Sequence, residues 1–67
     1  MDFVEKAHVR LNHWIAHNES HQEEYERFAA ELEETGKSAS ALQIREMVTL
    51  SKRSNECLRK ALQSLEQ

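Results

Sequence analysis

The chain has 67 residues, enough for one small domain near the lower limit for a core that stands alone. Twelve acidic against nine basic side chains give a net charge of −3 and a pI near 5.8, a poor start for a nucleic-acid binder, whose face is normally basic. No proline, one glycine and one cysteine describe an all-helical chain with no disulfide framework. With no apolar run near the length of a membrane span and no signal-peptide pattern in MDFVEK, the expected location is the cytoplasm, with no membrane partner.

The first predicted element is a helix over about residues 2–34. Asp2 followed three residues later by Glu5 resembles a capping box, in which the first side chain accepts from an orphan backbone N–H. The apolar stripe runs Val4, Ala7, Leu11, Trp14, is interrupted by Asn18 and His21, and resumes at Tyr25, Phe28 and Leu32. Those steps alternate between three and four, which is heptad spacing. Within the same helix, His13, His17 and His21 fall four residues apart. Each step of four advances about 40° around a helix axis, so the three project from one broad face.

The break is expected at residues 35–38. Gly36 is the residue there that takes a left-handed conformation without strain, so it should end the first helix. Ser38 or Ser40 is placed to cap the next.

The second predicted helix covers about residues 39–65. Its stripe is Ala41, Ile44, Val48, then Ser51 and Asn55, then Leu58, Leu62 and Leu65. A second stripe of Met47, Leu50, Cys57 and Ala61 widens the apolar face. Folding the chain about Gly36 sets Leu32 beside Ala41, Tyr25 beside Val48 and Leu11 beside Leu62, with the two polar interruptions level. The expected fold is therefore an all-α antiparallel helical hairpin. Residues 2–34 carry nine acidic and three basic side chains, and residues 38–67 three acidic and five basic, which favours the pairing of the two segments. Two helices with apolar faces this wide cannot bury them on one contact line, so a homodimer forming a four-helix bundle is expected.

The polar layer carries two readings. In the first, His17 and His21 grip one divalent transition metal, as an i, i+4 imidazole pair can. Glu56 from the returning helix is a further candidate ligand, His13 extends the ladder, and Cys57 and Glu24 lie near. Imidazole ligands favour Ni, Co, Zn or Cu over Mg or Ca. In the second, Asn18, His21, Ser51 and Asn55 form a closed hydrogen-bond network that fixes register and oligomeric state at some cost in stability. His8 reads as a solvent-exposed side chain at the flank of the stripe. Trp14, Tyr25 and Phe28 read as core aromatics.

No enzyme activity is expected. The chain has no Gly-rich phosphate loop and no nucleophile on a strained turn, and neither His17 nor His21 ends a Glu-x-x-His of the kind di-iron bundles use, since Trp14 and Asn18 stand three residues before them. Arg45, Lys52, Arg53, Arg59 and Lys60 share the second helix, but the overall charge disfavours nucleic acid as a partner.

The stretch HWIAHNESHQEEYERFA resembles a small helical-hairpin domain of unknown function found in prokaryotes, especially archaea and anaerobic bacteria. Its members read approximately W-I-x-H-N-x-x-H-x-x-E-[FY] in the first helix and A-N-E-A-L-R in the second. The matching residues are Trp14, Ile15, His17, Asn18, His21, Glu24 and Tyr25, then Asn55, Glu56, Leu58 and Arg59. Cys57 stands where members usually carry alanine, and His13 lies outside the motif. Some proteins with this domain look like fusions to small nickel-binding proteins that serve carbon monoxide dehydrogenase maturation. The resemblance thus implies an accessory role in handling nickel or a related metal through His17, His21 and Glu56, with a metalloprotein maturation partner.

Overall fold

The computed structural model of the protein describes residues 2–66, and they form two antiparallel helices, α1 (Phe3–Glu34) and α2 (Ser38–Ser64). Asp2 caps α1: its carboxylate accepts from the Glu5 N–H at 2.9 Å, satisfying one of the four donors that every helix start leaves open. At the other end Gly36 adopts φ +81°, the left-handed conformation that only glycine takes without cost. There the Lys37 N–H donates to the Leu32 carbonyl at 2.8 Å and the Gly36 N–H to the Glu33 carbonyl at 3.0 Å, closing a Schellman motif. The expected serine cap of α2 is not formed. Lys37 occupies that position and supplies no side-chain bond, because Ser38 is already helical.

The contact line of α2 is Ala41, Ile44, Val48, Ser51, Asn55, Leu58, Leu62 and Leu65, the stripe expected for that helix. On α1 the line is Leu11, Ile15, Asn18, Gln22, Tyr25, Ala29 and Leu32. It departs from expectation at every second position: Trp14 and Phe28 lie outside, about half exposed, and Ile15 and Ala29 are buried instead. Near the loop Ala29 and Ala41 are both fully buried, so the helices approach where neither side chain extends past Cβ.

Packing leaves the hairpin with two unlike flanks. On one, residues seven apart pair across the helices: Glu33 with Arg45, Glu26 with Lys52 at 3.4 Å, and Glu19 with Arg59 at 3.1 Å. The Arg45 guanidinium, by hydrogen bond first and charge second, holds the Glu33 carboxyl below its ordinary range. A lowered folded-state pKa makes the pair's contribution present near neutrality and lost as pH falls through that lowered value. The opposite flank carries Ala7, Trp14, His21 and Phe28 from α1, and Met47 and Ala61 from α2, one residue before the contact line in each helix. Phe28 there borders Ser40 and Gln43 across a shallow groove. The molecule measures 51 × 17 × 10 Å, a two-helix slab with one charged flank and one apolar, histidine-bearing flank.

Candidate functional site

At mid-length the core turns polar. Asn55, only 1% exposed, accepts at Oδ1 from the Asn18 side-chain amide at 2.9 Å and donates from Nδ2 to the Ile15 carbonyl at 3.2 Å. Beside them Gln22, buried, donates to the Ser51 hydroxyl at 2.8 Å. No buried side-chain nitrogen or oxygen among the described residues lacks a partner. The layer unites three of the residues read as its members from the sequence, Asn18, Ser51 and Asn55. The fourth is Gln22 rather than His21, and the layer closes without any imidazole.

The histidines occupy the apolar flank. The rings of His13, His17, His21 and Tyr25 follow one another along α1, with centroids 5.8, 4.4 and 5.8 Å apart. Within this ladder the Nε2 atoms of His17 and His21 lie 2.9 Å apart. At that distance the two ring nitrogens are within hydrogen-bonding reach, with one ring as donor and the other as acceptor according to their tautomers. On its other side His21 turns Nδ1 toward the Glu24 carboxylate, 3.5 Å away. That separation is a charge contact between exposed groups and longer than an ordinary N–H···O hydrogen bond.

The remaining candidates stand apart. Glu56 lies level with the histidines but on the charged flank, lining a groove with Glu19, Lys52 and Arg59. The sequence gives its height along the hairpin correctly, while its rotation about α2, one residue beyond the contact position Asn55, turns it away. His13 stacks on His17 and also borders a shallow surface pocket with Lys6, Arg10 and Trp14. Cys57 is exposed and unpaired. His8 is half-buried rather than free, its Nε2 2.8 Å from the Glu66 carboxylate, which ties the two ends of the chain together. Among the described residues no three His, Cys, Asp or Glu side chains gather closely enough to hold an ion within one hairpin. Within one hairpin, His17 and His21 thus meet without a third such side chain placed to hold an ion with them.

No helix among the described residues is long and apolar enough to cross a membrane. No curated protein and no solved structure matches the chain. Residues 7–65, spanning both helices, match a family described as a domain of unknown function, DUF8180. The matched span takes in the polar layer, the imidazole pair and the loop, and the chain belongs to that family.

Proposed function

We propose that this hairpin is a small accessory protein that self-associates into a four-helix bundle and binds a divalent transition metal of the Ni, Co or Zn class through His17 and His21. The observation that carries the reading is the convergence of the two Nε2 atoms at 2.9 Å. An ion at about 2.0–2.1 Å from each nitrogen would see them at about a right angle. That angle suits square-planar or octahedral ions such as Ni(II), whereas a tetrahedral site would spread the nitrogens to about 3.3 Å. A small rotation of either ring supplies the difference, so Co and Zn also fit. The role is to carry, sense or deliver the ion to a metalloprotein partner, with no reaction of its own.

Self-association is supported by the two flanks. The buried core is meagre, with Ile15, Ala29, Ala41 and Val48 its fully enclosed apolar residues. Meanwhile Trp14 at 46%, Phe28 at 51% and Leu50 at 52% remain exposed. Small folds of this size reach useful stability by oligomerising.

A second reading is a dimerisation or adaptor module that takes no ion. The closed hydrogen-bonding of Asn18, Gln22, Ser51 and Asn55 favours it, since such a layer by itself specifies register. It leaves the pairing of His17 with His21 without a purpose.

Calorimetric titration at pH 7.5 with nickel, cobalt and zinc separates the two. The parent is expected to bind at least one of them with release of protons. His17→Ala/His21→Ala is expected to lose about a hundredfold or more in affinity with its helix content unchanged, because neither ring belongs to the hairpin core. Absence of binding by the parent, or equal binding by the double variant, would leave the adaptor reading standing alone.

A further inference from the structure

The geometry points to a specific arrangement of the second copy: antiparallel to the first across the apolar flank, its loop at the opposite end, with α1 packed on α1 and the two-fold axis passing beside His17. The inference rests on the self-association proposed above and goes further, to the orientation and to the residues that meet.

Phe3, Arg10, His17, Glu24 and Glu31 recur every seventh residue on this side of α1, so they form one row facing outward from the slab. Charge along the row is positive before His17 and negative after it. Turned end for end about His17, the row's central charges are self-complementary: Arg10 meets Glu24 of the second copy, Glu24 meets its Arg10, and Phe3 comes level with its Glu31. The adjoining row reverses equally well. Trp14 falls opposite His21 of the second copy, and Ala7 opposite Phe28, small against large. His17 and His21 lie at the middle of α1, so this overlap uses the full length of both molecules. A flank of 51 by 17 Å is comparable to the ~800 Å² that each partner contributes to a stable interface.

The parallel alternative, with both loops at one end, lays α1 on α2 of the second copy. The facing rows of α2, which include Met47, Leu50, Ser54 and Cys57, carry no charge. Arg10 and Glu24 would then be covered without partners, which burial penalises. In the antiparallel arrangement His17 of each copy faces the other at the axis, with the two His21 rings further out on either side. The second copy's His17 is thus the nearest further imidazole to the pair that one hairpin presents.

The orientation is read directly by attaching a nitroxide at Lys37→Cys in a Cys57→Ser background, with a chelator present, and measuring the distance between labels after the mass in solution is determined. A dimer with loops about 50 Å apart, the length of the molecule, is the expected result. A dimer with labels within ~25 Å, about two helix diameters, would overturn the arrangement and leave self-association intact. A monomeric mass for the unlabelled parent would overturn the self-association itself. Charge reversal gives an independent check. Arg10→Glu and Glu24→Arg should each weaken their own homodimer by about tenfold, yet combine into a heterodimer when mixed. Failure to combine would contradict the pairing of Arg10 with Glu24.

Discussion

Truncation of Asn55 to alanine is expected to lower the unfolding free energy by about 2 kcal/mol, measured by urea denaturation at fixed protein concentration. The side chain is enclosed and makes two hydrogen bonds, one to Asn18 and one to the Ile15 carbonyl. Removing it leaves the Asn18 amide without its acceptor and opens a hole at the centre of a thin core. Concentration must be held constant, because unfolding of a self-associating chain is linked to its dissociation. Replacing both asparagines, Asn18→Leu/Asn55→Leu, should act in the opposite sense and raise the melting temperature, since apolar groups of similar size replace a desolvated polar pair. The gain should come with loss of a unique register, seen as mixed species by sedimentation. Equal destabilisation by the single and the paired replacement would mean that the amides serve packing alone.

The second large effect is the pH dependence of metal-induced stabilisation. An imidazole binds an ion only in its neutral form, and imidazoles ordinarily titrate near 6.5. Between pH 7.5 and 5.5 the neutral fraction of such a group falls about tenfold, so a two-imidazole ligand set loses about a hundredfold in affinity. For ligand well above its dissociation constant, that removes about 2.7 kcal/mol of stabilisation. The sign is fixed: protons compete with the ion, so nickel should raise the melting temperature strongly at pH 7.5 and weakly at pH 5.5. The metal-free protein supplies the baseline at each pH. An equal nickel-induced shift at both pH values would show that the ligands are not imidazoles.

Much of this architecture was legible before any coordinates. The eight-residue contact line of α2, the turn at Gly36 and the level meeting of Asn18 with Asn55 all follow from spacing and from the chemistry of one glycine. Along α1 the spacing was ambiguous, because 11-14-18-21 and 11-15-18-22 both alternate threes and fours. Apolarity pointed to Trp14 and Phe28 as core residues, but the helices enclose Ile15 and Ala29 in their place, with Ala29 and Ala41 fully buried. The decisive signal was electrostatic. Glu19, Glu26 and Glu33 recur every seven residues, as do Arg45, Lys52 and Arg59, and only one rotation of α1 lets the two ladders meet. That rotation carries His21 out of the core and admits Gln22. The same distinction between height and rotation explains Glu56, which reaches the level of the histidines on the wrong flank. The closeness of the two Nε2 atoms depends on ring rotamers, which spacing does not encode.

The measurement that bears most directly on the whole account is the mass and metal content of the protein saturated with nickel at pH 7.5, then again after chelation. A pair of 7.9 kDa chains holding one ion between them, reverting to metal-free dimer with chelator, is the predicted result. A single chain at all concentrations, or a dimer that retains no ion, would contradict a shared centre built from the imidazoles of residues 17 and 21.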